Sequence, residues 1–395
     1  MVTTTDFEFV SKTTISAGAG ASSEIDVHLR QYGSERPLLV TDSNLVEHGV
    51  TEPIEGALET SEIEYDIFDG VVPNPKVETV EAAAARFDEY DCDSIVAVGG
   101  GSTIDTAKTA SILAEHGGEV SHYYGARTVP GPISIPMVAI PTTAGTGSEV
   151  TPAAVVSDSD ANWKMPIVAE EIFPTVAILD PTLLRSLPAH ITAGTGMDAL
   201  TQAIMPYLSP GANELSSGAT PVTNALALRA VRMIGENLPK ATAGDGLEPY
   251  ANMQIATTMG GIAFTNAGLG LVHAMSHTVS GFFDTPHGIT NGVLLPHVLR
   301  YNRIAREEEF ADLAVALGKR TDGLSRREAS LELISAVETL LSDLDLPTGL
   351  QELGVEKAAL DELAEATVTR ETFLAENNPR DVSEEAVLSI FEAAF

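Results

Sequence analysis

The pattern of this 395-residue chain changes once, just after Asp180-Pro181, and that change constrains the fold more than any other feature. Before it, from Phe7 to about Thr182, short β-branched runs alternate with helical stretches, the signature of a parallel sheet covered by helices. The runs are Pro37 to Thr41, Tyr65 to Phe68, Ser94 to Val98, Ile135 to Ile140 and Thr175 to Leu179. Asn74-Pro75 reads as the cap and first residue of a helix whose apolar stripe lies in Val77 to Tyr90. From Leu183 to Phe395, segments with a period of about 3.6 follow one another with hardly a strand. The expectation is an α/β N-terminal domain with a parallel sheet over residues 1–183, an all-α C-terminal domain over 184–395, and a cleft between the two.

Length and composition agree with two cores. The chain exceeds the roughly 250–300 residues at which one core stops growing, and 44% of it is hydrophobic. A single cysteine, Cys92, excludes an internal disulfide framework and fits a reducing, cytoplasmic setting. The first ten residues carry acids rather than a basic, then apolar, leader. No charged residue occurs between Glu248 and Asp284, but the run is studded with Gly, Thr, Asn, Ser and His, which reads as a buried helix pair rather than a membrane span. Asp and Glu number 56 against 22 Lys and Arg, a formal net charge of -34. Nucleic-acid binding is excluded by that balance. A surface so self-repelling is expected in a high-salt cytoplasm, where screening removes the repulsion.

Four stretches carry chemistry. In Val96 to Lys108, VAVGGGSTIDTAK, a strand runs through three glycines into a helix, so backbone N–H groups and a helix N-terminus can hold a phosphate without a cation. The same stretch also reads as a tight turn with Ser102 and Asp105 as a capping-box-like pair. Ile140 to Pro152, IPTTAGTGSEVTP, places a row of hydroxyls beside Gly145 and Gly147, and Lys164 follows in the apolar NWKMPIV. Asp42 ends the strand PLLVT where an acid accepts hydrogen bonds from an adenosine ribose and repels a 2'-phosphate, so NAD is preferred over NADP, although Asp42-Ser43-Asn44 also reads as a turn.

The remaining two lie in the helical half. In GMDALTQA, Asp198 and Gln202 share one helix face, and an acid on an apolar helix calls for a metal or an arginine unless it sits in the first turn, where the dipole favours it. Leu271 to Asn291, LVHAMSHTVSGFFDTPHGITN, puts His273 and His277 one turn apart, and Thr285-Pro286 reads as a cap that sets His287 in a first helical turn, where a neutral imidazole is favoured. The bland alternative is core histidines bonded to backbone.

Together GGGSTIDTAK, PTTAGTGSEVT, GMDAL and HAMSH with DTPHG resemble, in order and spacing and nearly end to end, the iron-containing (group III) alcohol dehydrogenases of the dehydroquinate synthase-like superfamily. The resemblance implies a Rossmann-like N-terminal domain and a helical C-terminal one with the active site in the interdomain cleft. It implies pyrophosphate on Gly100, Gly101 and Ser102, further NAD(P) contacts at Asn74, Thr142, Thr143, Thr146 and Lys164, metal ligands at Asp198, His273 and His287, and a proton relay at His277. Family members carry a histidine one turn after the aspartate, in DALTHAIE; here Gln202 holds that place, and Met205 replaces the glutamate. An amide oxygen at position 202 extends the choice of ion from Fe²⁺ or Zn²⁺ to Mn²⁺.

The expected protein is a metal-dependent alcohol dehydrogenase or aldehyde reductase, homo-oligomeric, acting on a small alcohol or aldehyde. The alternatives are a metal-independent keto-acid reductase of the maleylacetate reductase type, a lyase of the dehydroquinate synthase type and a non-catalytic NAD-binding protein. The lyase needs Lys and Arg for its substrate, and 196–207 and 270–291 contain none.

Overall fold

Residues 6–158, 163–211 and 216–395 are described by the computed structural model. They group into two compact units. One comprises Ser11–Thr143 with Gly147–Ser186; the other comprises Leu187–Phe395 together with Ala144–Thr146 and the segment ending at Val10.

In the first unit β1 (Thr14–Ala17), β2 (Pro37–Val40), β3 (Asp66–Phe68), β4 (Ser94–Gly99), β6 (Met137–Pro141) and β9 (Val176–Leu179) form one sheet in the order β1-β9-β6-β4-β2-β3. Every pairing in it is parallel. Strands β2, β4, β6 and β9 are buried along their whole length, which is why they read as unbroken apolar runs. The five expected strands all form. Helices α1 (Ile25–Gln31), α2 (Ser43–Glu47), α3 (Glu52–Thr60), α4 (Val77–Glu89) and α5 (Gly101–His116) separate them. Strands β2 and β4 are neighbours whose outgoing connections, to β3 and towards β6, run to opposite sides of the sheet, and ligands bind α/β sheets outside the C-terminal ends of strands at such a point. Asp42 follows β2 there, and Gly100 follows β4.

Some strands are not evident from apolar runs. β1 is a half-exposed edge of four residues, while β5 (Gly125–Ala126), β7 (Ala153–Asp158) and β8 (Trp163–Val168) form a second, small sheet. Along β7 only Ala154 and Val156 turn inward, joining Ile167 in a core cluster, so its signal is alternation rather than a run.

In the second unit the described residues hold no strand. Its helices are α6 (Ala189–Leu208), α7 (Pro221–Thr242), α8 (Glu248–Ala267), α9 (Leu271–Phe283), α10 (His287–Asn302), α11 (Glu307–Ala316), α12 (Arg326–Asp343), α13 (Leu360–Arg370), α14 (Thr372–Glu376) and α15 (Glu384–Ala394). No single described helix is long and apolar enough to cross a membrane; α8 and α9 meet the length and composition together, but they bend by 104° and are largely buried.

Three local expectations need correction. Helix α4 starts at Val77 behind Lys76, because Asn74 adopts the left-handed conformation (φ 54°) that Asn tolerates and gives its side chain to Lys164 instead of a cap. Ser102 and Asp105 form no capping box, since Gly100 is the N-cap of α5 and Asp105 is engaged elsewhere. Thr285 does not cap α10 either: Pro286 holds that position, His287 is the first helical residue, and the Thr285 hydroxyl meets Ser280 and Thr290.

Helices α6 and α10 meet backbone to backbone. A Cβ at Gly288 would stand 2.4 Å from the Gly194 carbonyl oxygen, and one at Gly196 would stand 2.1 Å from Leu238 Cδ1. Gly288→Ala is therefore expected to destabilise by about 1–3 kcal/mol, since the obstruction is main chain that cannot step aside. Gly56→Ala, on α3 with open space around it, should hold or raise the melting temperature. Equal melting temperatures for the two variants would refute the close approach.

Candidate active site

In the sheet unit Gly100, Thr142 and Thr143 stand together at the ends of β4 and β6. Gly99 and Pro141 are register partners on β4 and β6, so the glycine turn and Thr142-Thr143 leave the sheet side by side. Thr103 packs where a side chain at Gly99 would be, with Oγ1 2.2 Å from its Cβ position, and Thr143 Oγ1 lies 3.4 Å from the Cβ position of Gly100. Only glycine fits the first of these. Helix α5 opens with no side-chain cap, so the N–H groups around Gly101 and Ser102 remain for an anion. Lys164 on β8 donates to Asn74 Oδ1 at 2.9 Å, which joins two residues 90 positions apart. Asp42 caps α2, its Oδ1 accepting from Leu45 N at 3.1 Å; that is the turn role, and it occupies one of two carboxylate oxygens. Thr146 lies in the short segment grouped with the helical unit.

The latter part of the glycine-rich motif does something the sequence did not disclose. Lys108 is wholly buried, and its ammonium donates to Ser148 O (2.7 Å), Ser148 Oγ (2.9 Å), Thr151 O (2.9 Å), Thr151 Oγ1 (3.2 Å) and Ala153 O (2.8 Å). Asp105, one turn earlier, accepts from Ser148 Oγ at 2.8 Å and Val155 N at 3.0 Å. Burial pulls the Lys108 ammonium down to about 8, against the attraction of Asp105 and Glu149, and pushes the Asp105 carboxyl up. The ion ties the hydroxyl-rich loop to the helix that follows the glycines.

In the helical unit three helices converge. Asp198 stands ten residues into α6, so the helix dipole, which acts within the first turn, does not account for it. It is 2% exposed, and among the described residues its ion-pair partners are His273 on α9 and His287 on α10. Asp198 Oδ1 lies 3.6 Å from His273 Nε2 and 3.8 Å from His287 Nε2, and one ligand atom from each residue falls within 4.8 Å of the others. Burial holds the His273 imidazole below the ordinary histidine range, against the pull of Asp198, which keeps its lone pair available. Ser276 Oγ lies 3.1 Å from His287 Nδ1 and donates to the His287 carbonyl at 3.4 Å. A hydroxyl whose proton goes to the carbonyl accepts from Nδ1–H, which leaves the His287 lone pair on Nε2, towards Asp198.

These donors suit a divalent cation. Among the described residues no Lys or Arg pairs with this buried carboxylate, and the carboxylate, two imidazole nitrogens beside it and a buried amide one turn on fit a ligand set better than a plain core. Gln202, one turn beyond Asp198, is 5% exposed and its carbonyl oxygen has no donor. His277 belongs to the same cluster, its ring centroid 5.2 Å from that of His287, but its Nδ1 turns 3.4 Å from Glu371 Oε2 instead.

Two family descriptions cover the chain: "Iron-containing alcohol dehydrogenase" over residues 12–181 and "Fe-containing alcohol dehydrogenase family, C-terminal" over residues 192–395. The chain belongs to the iron-containing alcohol dehydrogenase family. It is an oxidoreductase acting on CH–OH groups with NAD(P). An NAD-dependent methanol dehydrogenase of Bacillus methanolicus is 40% identical over 95% of this chain and 97% of that protein. A 1,3-propanediol dehydrogenase of Klebsiella pneumoniae is 42% identical over 96% of each. The crystal structure of a 1,3-propanediol oxidoreductase superposes with a TM-score of 0.94 at 40% identity, covering 99% of this chain and 100% of the other.

Sequence reasoning missed Asp105, Lys108, Ser276, Asn291 and Glu371. Lys108 carried one signal, an apolar helix face interrupted by a lysine; Glu371 carried none, standing 94 positions from His277. Lys108→Met is expected to cost about 3–5 kcal/mol, as loss of one partner from a buried polar set does, because three carbonyls and two hydroxyls lose their donor. It should also weaken NADH binding, as the loop it tethers shifts. Urea unfolding beside NADH titration reads both, and a variant that keeps wild-type values in each would contradict the tether.

Proposed function

We propose that Asp198, His273 and His287 hold a divalent ion, Fe²⁺ or Zn²⁺ with Mn²⁺ also accepted, with the Gln202 amide oxygen contributing, and that the protein interconverts a small alcohol and its aldehyde with NAD(H). The observation that carries this is the convergence of three ligand atoms within 4.8 Å from three helices, on buried Asp198 and His273 and half-buried His287. When bound there, a divalent ion would supply Lewis-acid polarisation of the substrate oxygen, favouring the charge that builds on it during hydride transfer. Asp198 supplies the negative charge that keeps the ion, and His273 and His287 supply neutral lone pairs. Glu371 faces His277 Nδ1 and fixes the ring, which leaves Nε2 as the atom that exchanges the alcohol proton with solvent. Gly100, Gly101 and Ser102 hold the pyrophosphate by backbone donors, with Asn74, Thr142, Thr143, Thr146 and Lys164 around the rest of the dinucleotide.

The substrate reading follows the relatives at 40–42% identity, named for methanol and 1,3-propanediol, and one named for lactaldehyde, all short and polar; a relative at 36% is named for long-chain alcohols. Removing the ion with a chelator should abolish NADH oxidation with short aldehydes, and added divalent metal should restore it. His273→Ala and His287→Ala should bind no metal yet still bind NADH, whose proposed residues, Thr146 apart, lie in the other unit. His277→Ala should keep its metal and lose about 10²- to 10⁴-fold in turnover. Full activity in excess chelator would overturn the metal reading in favour of a metal-independent reductase.

For cofactor choice, the Asp42 oxygen outside the cap faces the position of the adenosine ribose in this reading, so NAD(H) is preferred. Asp42→Gly should raise relative use of NADP(H); an unchanged ratio would leave Asp42 as a cap alone. The net charge of -34 supports a salt-rich cytoplasm as the setting. Its melting temperature should rise from low to molar KCl, and a flat or falling trend would contradict that.

A further inference from the structure

Asn291 stands on α10 one turn after His287 and is wholly buried. The amide atom assigned as nitrogen lies 2.7 Å from Asp198 Oδ1, 3.1 Å from His287 Nε2 and 3.3 Å from His273 Nε2. The aspartate oxygen is itself 3.6 Å and 3.8 Å from those two nitrogens. These are five of the six edges of a four-cornered cage. A tetrahedral ion with nitrogen and oxygen ligands at about 2.1 Å sets its ligands about 3.4 Å apart. Four side chains therefore already stand at the corners that such an ion requires, and the fourth is neither a histidine nor Gln202.

The chemistry of the amide decides which end belongs inward. An NH₂ group has two protons, and here it faces three acceptors. The carbonyl oxygen at the other end of the same side chain is buried without any donor. Half a turn about the last torsion exchanges the two ends and moves no other atom, because the ends of an amide are nearly isosteric. With oxygen inward, four lone pairs aim at one point, an arrangement that only a cation stabilises. We propose that Asn291 is an ion ligand through Oδ1, taking the fourth corner beside Asp198, His273 and His287 in place of the Gln202 amide, so that the set is one carboxylate, two imidazoles and one amide oxygen. The proposal rests on the metal site of the preceding section and adds to it a ligand in the corner opposite Asp198 and the two histidines. A site with two oxygen corners among four tolerates harder ions than one with three imidazoles.

The test is metal affinity rather than turnover. The full chain is stripped with chelator, and Zn²⁺ is titrated in competition with a chromophoric chelator; Co²⁺ loading gives a visible spectrum that reports coordination. Asn291→Ala should weaken Zn²⁺ binding by about 10- to 100-fold and alter the Co²⁺ spectrum, while NADH binding stays at the wild-type value. Asn291→Asp keeps an oxygen in the corner and should bind Zn²⁺ at least as tightly as wild type. Wild-type Zn²⁺ affinity in Asn291→Ala overturns the proposal, as does a higher affinity, which would mean that the amide N–H only competes with the ion. Should Asn291→Ala fail to fold, judged by NADH binding, Asn291→Asp decides, and a weakened Zn²⁺ affinity there overturns it. A wild-type protein that binds NADH but takes up neither Zn²⁺ nor Co²⁺ refutes the metal site itself, which is a distinct result.

Discussion

A carboxylate in the middle of a buried helix is the constraint on which the helical unit depends. Asp198 lies among apolar residues of α6, where an uncompensated charge costs several kcal/mol. The unit meets that cost without a single Lys or Arg at the site. It does so by bringing α10 against α6 at Gly194 and Gly288, so that His287 and Asn291 arrive from one side, and by placing His273 from α9 on the other. Between Glu248 and Asp284, the stretch that carries His273 and His277, no Asp, Glu, Lys or Arg occurs, and the carboxylate that meets His277 comes from Glu371, far along the chain.

The sheet unit solves a related problem with the opposite charge. Lys108, a wholly buried cation, is surrounded by five protein oxygens. Its work is to fix the loop after β6 against α5, so that what is presented to an anion is main-chain N–H and hydroxyl groups in fixed positions. For a chain with a net charge of -34 this division is economical in physical terms. Backbone donors and a helix N-terminus bind a dinucleotide at short range, where the diffuse repulsion of the surface matters least, particularly once salt screens it.

Much of this was legible in the sequence, for identifiable reasons. Strands β2, β4, β6 and β9 are buried on both faces and therefore appear as runs, and His273 and His277 sit one helical turn apart, so both could be placed from spacing alone. What could not be read depended on distant partners. Asn74 looked like a cap until Lys164, on a strand far along the chain, claimed its oxygen. Asp105 looked like half of a capping box because Ser148 and Val155 were invisible from Ser102. Asn291 fell at the end of the histidine-rich stretch and was passed over, since an asparagine one turn beyond a histidine is ordinary until an aspartate from another helix is set beside it. Glu371 shows the limit of the method, being an exposed-looking acid between two helices that turns inward to a histidine.

Anomalous diffraction at the zinc edge, from crystals of the zinc-loaded protein, decides whether Asp198, His273 and His287 form a cation site. The expected result is one strong peak about 2.0–2.2 Å from an Asp198 oxygen, His273 Nε2 and His287 Nε2. A map in which those side chains are ordered but the peak lies elsewhere, or in which no peak appears, would contradict it.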